Sequence, residues 1–198
     1  MFVNMKSIPR VPRGALSRER IIEAALDLID AEGLGALSAR QLAARLGCKA
    51  MSLYNHVASM DDLLDGVIDH LLASALRVAT PPNDIRAAAA AYLALAEQHP
   101  DAFILVATRV WRGPNARAAA MTFVSHFVAI GCSEQEALRR ARVLGAYLNG
   151  SGLALGAWKA SARAGLPGGS EDTVREDLEA GLGDLLAMLS RPPAHSQL

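Results

Sequence analysis

The chain has 198 residues, enough for one large or two small domains, and 52% of them are hydrophobic, which excludes a disordered chain and supplies a packed core. Formal net charge is zero, yet residues 1–60 hold eight Lys or Arg against five Asp or Glu, and residues 61–198 hold twelve against fifteen. That asymmetry suits a phosphate-facing module joined to a slightly acidic partner domain. Cys48 and Cys132 are too few and too distant in sequence for a disulfide framework, which points to a reducing cytoplasm. The N-terminus lacks a signal-peptide core and no run reaches the roughly eighteen apolar residues of a membrane span, so a cytoplasmic protein without a membrane segment is expected.

Residues 1–15 carry Lys6, Arg10 and Arg13 around Pro9 and Pro12 and have no periodic apolar face. They read as a flexible basic arm of the kind that follows a DNA backbone or enters a minor groove, or equally as a solvated tail. Ser17 predicts the cap of a helix over Arg18 to Glu32, whose Ile21, Ile22, Ala25, Leu28 and Ile29 recur at helical spacing, and Gly33 stops it. Residues 37–57, LSARQLAARLGCKAMSLYNHV, then read as two short helices around a turn at Gly47, the arrangement of a helix-turn-helix. Ser38 stands three residues before Gln41, a capping box that starts the first helix near Ala39, and Leu42, Ala43 and Leu46 give that helix one buried stripe. The second, over about Ala50 to Val57, carries Ser52, Tyr54, Asn55 and His56, polar groups able to reach base edges and phosphates. Cys48 in the turn reads as a small apolar filler, with a thiol sensor as the alternative. Ser59 opens a further helix to about Ala79, with Asp61 and Asp62 in its first turn and Leu64, Val67, Ile68, Leu71, Ala75 and Leu76 on its apolar face.

Pro81 and Pro82 mark a domain boundary. Beyond them the pattern predicts helices over about Asp84 to Gln98, Asp101 to Trp111, Asn115 to Ile130, Ser133 to Ala164 and Ser170 to Leu189, with Ser133 and Glu136 as a second capping box and 165–169 as a loop. All nine prolines fall outside these segments and nothing reads as a strand, so the fold class is all-α. The long helix from Ser133 has a stripe of small residues, Ala137, Ala141, Gly145, Gly152, Gly156 and Ala160, and the last helix has Leu178, Leu182, Leu185 and Leu189 at four-three-four spacing. Both suit close helix packing, either inside one chain or between two. Tyr92, Phe103, Trp111, Phe123, Phe127, Tyr147 and Trp158 sit on otherwise Ala-rich helices, with His99, Arg109, His126 and Asn149 nearby in sequence. Such a mixture either lines an apolar cavity with a few orienting polar groups or is plain core.

From about Leu16 to Leu72 the chain resembles the tetracycline-repressor (TetR) family. The likeness rests on LSRERIIEAALDLIDAEGLGALSARQLAARLG, the block Leu53-Tyr54-Asn55-His56-Val57, and Leu63 and Leu64, all in register; residues 81–198 match only in being helical. The resemblance implies an N-terminal three-helix DNA-binding domain over 16–60, a connecting helix over 61–80, and a larger helical ligand-binding and dimerisation domain over 81–198. It implies that Arg40 contacts DNA from the helix before the turn, and that Met51, Ser52, Tyr54, Asn55 and His56 face the major groove, with Lys49 on phosphate. Tyr54 and His56 keep an alternative reading as structural contacts of the small domain. The resemblance also favours a ligand pocket among Tyr92, His99, Phe103, Trp111, Phe123, His126, Phe127, Tyr147 and Asn149. A dimer interface is expected at Gly145, Gly152, Gly156, Leu178, Leu182, Leu185 and Leu189, as half of a four-helix bundle. One short recognition helix contacts few base pairs, so a homodimer on two half-sites roughly 34 to 36 Å apart is expected independently.

The function implied is a ligand-responsive repressor of a palindromic double-stranded DNA operator, released by a small-molecule effector. The alternative is a helical DNA-binding adaptor regulated by a protein partner. The five histidines form no H-E-x-x-H pair, and no Cys-x-x-Cys, Walker loop or nucleophile elbow is present, so neither an enzyme, a metal site nor a cofactor is expected. One position departs from the family pattern: Met60 stands where members commonly place a phosphate-binding lysine at a helix N-terminus. Met60→Lys is therefore expected to tighten binding to operator and unrelated DNA alike, because phosphate contacts carry little sequence information. Titration over several salt concentrations should show the slope of log affinity against log salt steepening by about two for a dimer. An unchanged slope would remove residue 60 from the phosphate-facing surface.

Overall fold

The computed structural model describes residues 16–78, 84–163, 165 and 170–191. The basic arm, Pro81 and Pro82, the 165–169 loop apart from Gly165, and the side chain of Ala160 lie outside the described residues. Among those described there are nine α-helices and no strand. The contacts divide the chain into two units within one continuous helix, between Val67 and Ile68.

The first unit contains α1 (Arg18–Glu32), α2 (Ala39–Arg45), α3 (Ala50–Leu53) and the start of α4 (Met60–Val78). Ser17 Oγ accepts from the Arg20 amide at 3.3 Å to begin α1, and Gly33, at φ 85°, ends it. Ile21, Ala25, Leu28 and Ile29 of α1 meet the wholly buried Leu42, Leu53, Leu63 and Val67 in one small core. Ser38 Oγ accepts from the Gln41 amide at 3.2 Å, as the capping box requires, but the Gln41 side chain meets the Ser38 hydroxyl at 3.1 Å instead of reaching the Ser38 amide. Regular helix in α3 stops at Leu53 and does not extend to Val57. The His56 amide bonds the Leu53 carbonyl at 2.9 Å, three residues back, which tightens the poor helix formers Tyr54, Asn55 and His56 into a turn.

The second unit contains the rest of α4 and α5 (Ile85–Gln98), α6 (Pro100–Thr108), α7 (Pro114–Ala129), α8 (Glu134–Arg163) and α9 (Glu171–Leu189). Pro100 and Pro114, expected outside the helices, occupy the first position of α6 and α7, where a missing N–H is harmless. α6 stops at Thr108, short of its expected end at Trp111. Its frayed end is closed by the Trp111 indole N–H, which donates to the Val106 carbonyl at 2.8 Å. The 30 residues of α8 make a rod of about 45 Å that packs on α5, α6, α7 and α9. Phe103, Phe127, Leu144 and Leu148 form the centre of this larger core.

The second capping box forms by half: Ser133 Oγ accepts the Glu136 amide at 3.3 Å, while the Glu136 carboxylate turns to Arg139 at 2.6 Å and Arg140 at 2.8 Å. Those two guanidiniums hold its carboxyl down at about 2, against an ordinary 4.5. Arg140 is buried and its Nη1 donates to the carbonyls of Leu189 and Arg191, so a cation satisfies the last acceptors of α9. Removing it as Arg140→Met strips hydrogen bonds to a charged group, and the urea midpoint should report a loss of roughly 2 kcal/mol. Because the folded Glu136 value lies below the unfolded one, its contribution is complete above about pH 4.5 and is lost as pH falls towards about 2. The urea midpoint of Glu136→Gln should accordingly be flatter than that of the parent across this window.

Candidate nucleic-acid interface and cavity

The first unit presents six of the seven expected DNA-contacting residues in the open: Arg40, Lys49, Met51, Tyr54, Asn55 and His56 are exposed, and Ser52 is half-buried. Leu53 and Val57 anchor the α3 segment in the core, which turns Met51, 75% exposed, and Tyr54, 41% exposed, to solvent. Large side chains are left in water here without a folding reason. The set offers an amide able to pair with adenine, a phenol, an imidazole, a methyl-bearing chain for thymine, and two cations for phosphate.

A clamp that the sequence did not single out holds this segment. The Arg18 guanidinium bonds both Asp62 carboxylate oxygens at 2.7 Å, and its Nη1 also donates to the His56 carbonyl at 3.3 Å. The Ala58 amide donates to the same carboxylate at 2.8 Å, and Ser59 Oγ accepts from the Asp62 amide at 3.1 Å. The hydrogen bond to Asp62 raises the Arg18 value, and that from Arg18 holds the Asp62 carboxyl below its usual range. The end of the α3 segment is thereby tied to the first turn of α4. In the sequence, Arg18 is one of several basic residues on an exposed helix start, with nothing to mark its partner. The clamp also bears on Met60, two residues before Asp62: the Asp62 charge is met by Arg18, which lessens its repulsion of a phosphate at this helix start.

In the second unit Tyr92, Trp111, Phe123 and Asn149 line a cavity of about 270 Å³. Tyr92 lies 6.0 Å from Trp111 and edge-on to Phe103 at 5.5 Å, centroid to centroid. Its hydroxyl donates to Asn149 Oδ1 at 2.6 Å, and Asn149 Nδ2 reaches the Ala107 carbonyl at 3.4 Å. Burial pushes the Tyr92 phenol well above its ordinary range, so it remains a donor. The remaining wall is Ala120, Val124, Leu138, Ala141, Arg142, Gly145 and Leu148, none of them among the expected ligand residues; only Ala141 and Gly145 carry a signal in the sequence, as members of the small stripe.

Five expected ligand residues fall elsewhere. Phe103 and Phe127 are fully buried core, and His126 stands edge-on to Phe127 at 5.4 Å beside a separate groove with Arg86 and Leu186. His99 is the junction of α5 and α6, its amide donating to Leu95 and its carbonyl accepting from Phe103, both at 2.8 Å. Tyr147 docks α9, donating to the Leu178 carbonyl at 2.9 Å. The residues expected at a dimer interface are placed as follows. A Cβ on Gly152 would fall 2.3 Å from the Phe103 ring, and one on Gly156 would touch Pro100 at 3.7 Å, so both face their own chain. Gly145 lines the cavity; Leu182 and Leu189 are buried within the protomer, while Leu178 and Leu185 are half-buried.

The model of bacterial regulatory proteins of the tetR family matches residues 21–67. An HTH-type transcriptional regulator of Saccharopolyspora erythraea is 33% identical over 183 residues, covering 90% of this chain and 76% of that protein. The HTH-type transcriptional repressor DrrR1 of Streptomyces coeruleorubidus is 32% identical over 151 residues, which are 72% of this chain and 54% of that protein. Among solved structures, ActR of Streptomyces coelicolor in complex with actinorhodin superposes with a TM-score of 0.74 at 25% identity, over 89% of this chain and 96% of that one. No described helix is long and apolar enough to cross a membrane. A helix-turn-helix with its polar turn in the open, followed by an α-helical second unit, thus has relatives along most of its length: the chain belongs to the tetracycline-repressor family of DNA-binding transcriptional regulators, and those relatives are regulators and not enzymes.

Proposed function

We propose that this chain is a repressor that holds a palindromic operator as a homodimer and leaves it when a small molecule fills the Tyr92–Trp111–Phe123–Asn149 cavity. The cavity is the observation that carries this reading, because a formed apolar site with paired polar groups lies in the unit that follows the helix-turn-helix. Two comparisons support it: DrrR1 is a repressor by name, and ActR was solved with actinorhodin. Arg40 and Lys49 take phosphates; Met51, Ser52, Tyr54, Asn55 and His56 take base edges and flanking phosphates. Release requires the effector to bind the free dimer more tightly than the DNA-bound one.

A route for that coupling starts at Trp111. Two residues on, Gly113 lies against α4, where a Cβ would fall 2.0 Å from Asp69 Oδ1. Asp69 accepts from the Asn115 side chain and the Ala116 amide, both at 2.9 Å, so the start of α7 is latched to the helix that continues into the first unit. A ligand that displaces Trp111 pulls on this latch.

For the dimer seam, α8 offers an outward stripe in which Val143, Ala146, Gly150, Leu153 and Ala157 are all exposed at three-four spacing, and α9 exposes Ala180, Ala187 and Met188. Leu153, 37% exposed, is its largest member near the centre. Leu153→Glu should halve the mass seen by sedimentation without lowering helicity. Affinity for an operator selected from random duplexes should fall by about 100-fold as avidity is lost, while affinity for an isolated half-site is kept. A dimer mass in this variant would move the seam off this face, and selected sites without a two-fold repeat would sink the palindromic reading.

A further inference from the structure

Taking the cavity as the effector site, we propose that it selects a compact, flat aromatic anion, its rings between Trp111, Tyr92 and the bare side of α8 at Gly145, its acid group on Arg142. Shape comes first. A Cβ added to Gly145 would meet nothing within 4 Å, so α8 leaves room for a side chain where it lines the same cavity as Tyr92, Trp111 and Phe123, and Ala141 one turn earlier keeps that wall shallow. A recess in a cavity lined by aromatic side chains takes a thin rigid body. At about 270 Å³ the space is near the lower end of small-molecule sites, roughly 300 to 1,000 Å³, which suits two or three fused rings and not a long acyl tail.

Charge decides the rest. The polar groups inside are already committed to one another: the Tyr92 hydroxyl to Asn149, and the Asn149 amide to the Ala107 carbonyl. Arg142 is the one charged side chain among the described lining residues; it is exposed at the mouth and makes no described hydrogen bond or ion pair. Aromatic walls also attract cations. Here a cation would face the Arg142 guanidinium with no lining carboxylate to offset it, whereas an anion gains a charge-assisted, fork-shaped partner.

The test uses two probes of the same skeleton, 1-anilinonaphthalene-8-sulfonate and its uncharged parent N-phenyl-1-naphthylamine, titrated by fluorescence on the full chain. Arg142→Gln should lower the preference for the sulfonate, taken as the ratio of the two dissociation constants, by about tenfold, the loss expected for one hydrogen-bonded charge. Using the ratio cancels any general change in apolar binding. Gly145→Leu should fill the recess and weaken both probes at least tenfold, with Gly145→Ala giving a smaller loss in the same direction should the larger variant melt early. If the ratio is unchanged in Arg142→Gln while the Gly145 variants weaken both probes, the cavity binds ligand but does not select an anion, and the inference is overturned alone. If neither Gly145 variant affects either probe, the probes bind elsewhere and the reading of the cavity as effector site falls with it.

Discussion

The second unit depends on one close approach, the Phe103 ring against Gly152. With a Cβ at 152 the ring would have to shift, since that atom would fall 2.3 Å from it. This contact brings α6 down onto α8. Phe103 in turn sets Tyr92 edge-on at 5.5 Å, and the seated Tyr92 can reach Asn149 on the next turn of the same α8 face. The end of α6 then leaves Trp111 over the gap that remains between α7 and α8. A cavity survives in a packed core because these helices carry Ala and Gly where ordinary cores carry Leu, and because a hydrogen-bonded pair of buried polar groups resists collapse into it.

The first unit solves a different problem, holding a segment too short to be stable by itself. α3 is a four-residue helix, well below the length at which helices persist alone. Leu53 and Val57 anchor it from below, and the Arg18–Asp62 clamp closes over its end through the His56 carbonyl and the Ala58 amide. Exposed polar side chains can then be aimed by a scaffold to which they contribute little. α4 begins within this clamp and bears Asp69 two turns later, where the carboxylate holds the start of α7.

The sequence made the DNA-reading module legible almost residue by residue because its signals are local: Ser17 and Ser38 as caps, Gly33 and Gly47 as stops, and apolar stripes one turn apart. The spacing of Leu53 and Val57 predicts a helix through to Val57, whereas Tyr54, Asn55 and His56 between them are poor helix formers and close a turn instead. The second unit was legible as helices and poorly legible as a site. Whether Tyr92 or Tyr147 faces a cavity depends on which helix lies opposite, and that is settled between residues more than fifty apart, as in the Tyr92–Asn149 bond. The Arg18–Asp62 and Arg140–Leu189 pairs were unreadable for the same reason: each joins ordinary charged or apolar residues more than forty positions apart.

Gly145 and Gly152 show how far such reading can go. They are seven residues apart, two turns, and therefore share one face of α8; by pattern alone they are the same residue used twice. Their surroundings differ: Gly152 is met by Phe103, a residue within α6, whereas Gly145 lines the cavity to which Trp111, three residues beyond the end of α6, also contributes. One glycine is needed because something is there, the other leaves a space because something is not. A stripe of small residues thus specifies where helices can approach, and the ends of the opposing helices decide which of those places are filled and which remain open to a ligand.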